Sequence, residues 1–149
     1  MSLKHVGVVV AMSAAGYLAA APAVQAVNWG PVTSTYDGRV RVEGQGSHYN
    51  DRGVNAANTM TIVDRANDGN TVYGATVFYF WVQSSSGQMV WGDSRHKSTA
   101  EVSNGTVRQT LTTGLNGTSE KSRAVSKACA QMSWPVPDSC GQATTSWSY

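Results

Sequence analysis

The sequence has little of what builds helices and large aliphatic cores. It contains four leucines and one isoleucine in 149 residues, and beyond residue 26 only Ile62, Leu111 and Leu115 remain. Charged residues make up 13% of the chain, and the nine acids are scattered singly and mostly in turns. That scatter argues against a paired-carboxylate hydrolase. With two cysteines, and no histidine near either, the chain has neither a disulfide-rich framework nor a zinc ligand set. No metal or cofactor motif is present, and no cofactor is expected. Internal repeats and heptads are also missing, which excludes solenoids and coiled coils.

The one long apolar run lies at the start. Met1–His5 carries Lys4, Val6–Ala20 is apolar, and small residues surround Val24-Gln25-Ala26. This is the pattern of a secretory leader cleaved after Ala26, with Ala21-Pro22-Ala23 as the alternative site. An apolar stretch of about 15 residues is shorter than the roughly 20 a spanning helix needs. The expected product is therefore a secreted chain with no membrane segment after cleavage. Removing residues 1–26 takes away Lys4 and no acid, leaving ten bases against nine acids. That near-neutral balance excludes a strongly basic nucleic-acid surface.

What remains is rich in Thr, Ser, Val, Gly and aromatics, the composition of an all-β domain. Val27-Asn28-Trp29-Gly30-Pro31 reads as an extended arm or edge strand over residues 27–36, since Pro31 lacks a ladder donor. Asp37-Gly38 marks a turn, and Arg39–Glu43 alternates cleanly. The polar, glycine-dotted stretch Gly44–Asn58 reads as a loop crossing between sheets. Thr59–Val63 is a strand with Met60 and Ile62 on one face, ended by Asn67-Asp68-Gly69-Asn70. From Thr71 to Gln83 both faces are apolar, which predicts a central strand covered on both sides. Its length predicts a bend or bulge near Gly74. Gln88–Trp91 returns as a short strand after the Ser84–Gly87 turn. Asn104-Gly105 predicts a two-residue hairpin between Glu101–Ser103 and Thr106–Leu115, with Val107, Leu111 and Leu115 inward. Ser122–Trp134 fits a strand better than a helix. Six to eight such strands over residues 37–149 predict a single immunoglobulin-like β-sandwich, with a small barrel as the alternative.

In a secreted chain the two cysteines, Cys129 and Cys140, are expected to pair. Closing so short a loop contributes about 3 kcal/mol in the chain-entropy account. The enclosed Trp134-Pro135-Val136-Pro137-Asp138 is either a clamp on the last strand or a displayed binding loop. Phe78 and Phe80 with Trp134 are expected in the core. Tyr73, Tyr79 and Trp81 share the other face of the long strand, as core or as an aromatic platform for a protein or a sugar ring. His48, with hydroxyl and carboxylate neighbours, and His96, in a charged loop, are the two candidate bases beyond the leader. No nucleophile motif accompanies them, and the expectation is a protein without catalytic activity. Asn104-Gly105-Thr106 and Asn116-Gly117-Thr118 match the glycosylation pattern, though turn formation alone explains both.

A cleavable leader, the short Trp29-Gly30-Pro31 arm, one small β-sandwich and a lone C-terminal disulfide together resemble the small linker subunit of bacterial umbrella toxin particles. The resemblance is architectural, spans the chain after the leader, and carries over only the arm Val27–Pro31. It implies an adaptor whose N-terminal extension inserts into a cleft of a lectin-bearing subunit. The body of that adaptor would hold the subunit to the arms of a large toxin. The expected function is thus a secreted protein-binding adaptor, contacting larger partner subunits through Val27, Asn28, Trp29, Gly30 and Pro31 and through Tyr73, Tyr79 and Trp81. A carbohydrate- or cell-wall-binding module and a secreted hydrolase inhibitor are the alternatives.

Overall fold

Period-two alternation of β-branched and aromatic residues, punctuated by Gly, Asn and Asp at positive φ, builds eight strands and no helix across residues 25–149, which the computed structural model describes. The leader read at residues 1–26 lies, but for Gln25 and Ala26, outside the described residues. The strands are β1 (Ala26–Tyr36), β2 (Arg39–Asp51), β3 (Asn55–Asp64), β4 (Val72–Gln83), β5 (Met89–Ser98), β6 (Thr106–Gly114), β7 (Lys121–Ala130) and β8 (Ser139–Ser148). They form two four-stranded antiparallel sheets, ordered β1-β2-β3-β6 and β5-β4-β7-β8. The sheets pack face to face as a β-sandwich, and no ladder closes them into a barrel.

The core explains how a chain so poor in Leu and Ile can fold. Phe78 and Phe80 from β4 meet Met60 and Ile62 from β3, with Val42, Val72, Leu111, Trp29 and Trp147 around them. Ala124, Ala128 and Ala130 of β7 lie beside β4 in the same sheet, and Gly44 across from Ala128, with Gly74 next to it facing Met60, lets the sheets approach. A Cβ on Gly44 would lie 2.6 Å from the Ala128 Cβ, and one on Gly74 would lie 2.4 Å from the Met60 sulfur. Small residues facing large ones fill the interior without many branched aliphatics.

Several expectations change. Gly44–Asn58 is not a crossing loop: it is most of the β2–β3 hairpin, turned by Arg52-Gly53 at positive φ. Gly44 and Gly46 are required by close packing, and the hairpin's polar His48 and Asn58 point inward to partners on the other sheet. The long strand has a partner strand on each edge but a covering sheet on one face alone. Its other face, with Tyr73, Tyr79 and Trp81 half-buried, is the outer face of the second sheet. The irregularity in that strand falls between Phe78 and Phe80 against β5, not near Gly74, whose role is to admit Met60 and Ile62. Asn104-Gly105 closes a crossover and no hairpin: β6 pairs with β3, and Val102 bridges to Val72. His96 sits in strand β5, which runs well past Trp91.

The N-terminal segment is an edge strand of the sandwich. Ala26–Trp29 pair with Gly46–Tyr49, and a register shift follows between Trp29 and Val32. Trp29 is 5% exposed and belongs to the core, so it is unavailable to a partner in this fold. Trp134, expected in the core, is 92% exposed.

Candidate functional site

Two buried polar clusters bolt the sheets together and set the frame for everything outside. Asn58 accepts the Trp29 indole N–H (2.8 Å) and donates to Thr76 Oγ1 and Ser126 Oγ (2.7 Å each), so β1, β3, β4 and β7 converge on one side chain. His48 lies between Ser122 Oγ and Thr145 Oγ1, each 3.2 Å from a ring nitrogen, with Phe78 and Trp147 against its ring. Burial pushes its pKa down to about 3, so the ring is neutral. One ring nitrogen then donates and the other accepts, and the two rotatable hydroxyls satisfy both. Ser122 and His48 have the pairing of a nucleophile and its base. Both are fully buried, however, and a hydroxyl stands where an orienting carboxylate would be. In this arrangement the pair joins the sheets, and a substrate has no path to it.

The exposed chemistry lies on and beside the second sheet. Cys129 and Cys140, directly opposed on β7 and β8, form the disulfide and close the loop over residues 131–138. Several bonds hold that loop besides. Asp138 accepts from the Tyr73 hydroxyl (2.7 Å) and from the Met132 backbone N–H (3.2 Å). The Gln131 N–H donates to the Thr71 carbonyl, and the Val136 N–H donates to the Ser133 carbonyl to form a turn around the cis Trp134-Pro135 bond. Burial, then the hydrogen bond and charge of Asp138, then the charge of Glu101 push the Tyr73 pKa up to about 12. Trp134 stands at the tip with its indole in solvent, and Val136 beside it is also exposed.

On the outer face of the same sheet Trp81 and Trp91 oppose each other across the β4–β5 hairpin, ring centroids 5.2 Å apart and edge to face. The Arg123 guanidinium lies 4.1 Å from the Trp91 centroid, and the Lys121 ammonium lies 5.9 Å from that of Trp81. Tyr79 is directly opposite Arg123. At the hairpin's free edge Asp93 takes hydrogen bonds from Arg95 and Asn116, which hold its pKa below the usual carboxylate value.

Of the expected partner-binding residues, then, Tyr73, Tyr79 and Trp81 share one outer face. Val27–Pro31 lie at the edge of the other sheet. Asn28 accepts from Ser47 there and, with Gly30, borders a shallow polar cleft of about 330 Å³ that also takes in Gln45, Thr61 and Arg108. Sequence reasoning missed Arg123 and Lys121 and left Trp91 out of the residues expected to share a face with Trp81. The signal was present: a hairpin turned at Ser84–Gly87 sets Trp81 against Trp91, and odd positions of β7 carry Lys121, Arg123 and Lys127. Among the described residues no cluster of His, Cys, Asp or Glu is arranged to hold a metal ion, and no helix is long and apolar enough to cross a membrane. A scan against protein-family models finds no match, and neither does a search of curated proteins.

Proposed function

We propose that the protein is a secreted, non-catalytic binding module that docks onto a partner protein through the disulfide-closed loop, with Trp134 as the anchor. The observation that carries this reading is the 92% exposure of Trp134 on a loop held at both ends by the disulfide and by Asp138. A large indole left in solvent gains most from insertion into a partner's apolar pocket, and a loop already ordered loses little entropy on binding. Tryptophans in such positions dominate interface energetics. The leader-like first 26 residues and the disulfide support an extracellular location. The adaptor role implied by the resemblance to umbrella toxin linkers fits the same surface, with the contact moved from Val27–Pro31 to the loop.

The test is native purification from culture medium with Trp134→Ala beside the intact protein, followed by mass spectrometry of co-eluting chains. A partner that accompanies the intact protein should be lost from the variant while the thermal melt stays unchanged. Equal recovery of every partner by both forms would sink the proposal.

A further inference from the structure

The outer face of the second sheet separates charge in a way the near-neutral composition conceals. Arg41, Arg52, Arg65 and Arg95 are matched by Asp68, Asp51, Glu43 and Asp93. Lys121, Arg123 and Lys127, on one face of β7, have no carboxylate within 4 Å among the described residues. At about 3.3 Å per residue they form a cationic line on the order of 20 Å long. Arg123 is the most constrained of the three. Trp91 covers one face of its guanidinium, Tyr79 is its paired residue on β4, and its Nε is buried with no hydrogen-bond partner. The buried Nε cannot reach a ligand, so this half-exposed side chain offers an anionic oxygen its Nη groups, with Trp91 holding the guanidinium in place.

We infer that this face binds a carboxylate-bearing polysaccharide laid along β7, with Arg123 taking a uronate carboxylate and Tyr79 and Trp81 receiving sugar-ring faces. The backbone of β7 is engaged on both sides, by β4 and by β8, so an acidic peptide cannot add here as a strand. Recognition must run through side chains alone. Half-buried aromatic rings interleaved with unpaired cations suit a polymer that offers ring faces and carboxylates in alternation. The site is separate from the Trp134 loop and does not rest on the docking role proposed for it.

The experiment measures binding of polygalacturonate oligomers by calorimetry, with dextran and poly-glutamate as comparison polymers. The intact protein should bind polygalacturonate, ignore dextran, and weaken as salt rises from about 0.05 to 0.5 M. Arg123→Gln should weaken binding by about tenfold or more, whereas Arg108→Gln on the other sheet and Trp134→Ala should leave it unchanged. If the melt shows that Arg123→Gln does not fold, the double variant Lys121→Gln/Lys127→Gln takes its place with the same expected loss. Three results would overturn the inference: no binding by the intact protein, equal loss in Arg108→Gln, or poly-glutamate binding as tightly as the uronate. The last would reassign the face to an acidic protein partner.

Discussion

The Tyr73 hydroxyl donates a 2.7 Å hydrogen bond to the carboxylate of Asp138, tying the start of β4 to the far end of the disulfide loop. A phenol donating to a carboxylate resists ionisation, because the phenolate would face a like charge. Ultraviolet titration should therefore show one tyrosine ionising near pH 12. Asp138→Asn should move it back toward the ordinary value of 10.0, leaving the part due to burial. The same substitution, like Tyr73→Phe, should cost about 1 kcal/mol of stability and speed hydrogen exchange at Met132, whose N–H also bonds Asp138. A tyrosine titration indifferent to residue 138 would contradict the arrangement.

His48 makes stability pH-dependent. Its folded pKa, near 3, lies below the unfolded value of 6.5. The unfolded chain therefore takes up a proton that the folded chain refuses as pH drops. The sandwich keeps its full stability from this group above about pH 6.5 and loses about 1.4 kcal/mol per pH unit below it, down to the folded pKa. Urea unfolding at about pH 7.5 and about pH 5 should differ by about 2 kcal/mol from this residue alone. His48→Gln, though less stable at neutral pH, should show a flatter dependence. An identical slope in the variant would assign the effect to other groups.

How far the sequence discloses this fold depends on whether a residue's reason for its place is local. Phe78, Phe80, Met60 and Ile62 were legible as core because alternation along one strand places them there. The disulfide followed from there being two cysteines. Gly44–Asn58 is illegible as strand because its inward residues include Gly44, kept small by Ala128, and polar groups satisfied by Ser122, Thr145, Thr76 and Ser126. Those partners are distant in sequence, and hydrophobic periodicity carries no record of them. Asn104-Gly105 announced a turn correctly but could not say which strands it joins. Trp134 has two readings in the sequence, a core aromatic or part of a displayed loop, and the loop it tops leaves it outside.

The N-terminal strand is structural, and its removal should show that. Deleting residues 26–31 takes Trp29 out of the core, leaves the Asn58 carbonyl without its indole donor, and strips four paired positions from β2. The loss of the buried tryptophan alone is worth about 3–5 kcal/mol. The truncated protein should melt about 10 °C lower or more. A melt within about a degree or two of the intact protein, far inside the shift expected for that loss, would return the segment to the status of a detachable arm.

The closeness of the two sheets should be measurable at single glycines. A methyl at residue 44 meets the Ala128 Cβ at 2.6 Å, and both belong to strands held in register by neighbours on either side. Neither strand can retreat without disturbing the His48 and Asn58 clusters, which span the same gap. Gly44→Ala should therefore destabilise by about 1–3 kcal/mol through overpacking. At Gly117, where a Cβ meets nothing within 4 Å and φ is not positive, the same change should be nearly neutral. Chemical denaturation of the two variants side by side checks this, and equal stability would mean the sheets lie further apart than the packing of Gly44 on Ala128 requires.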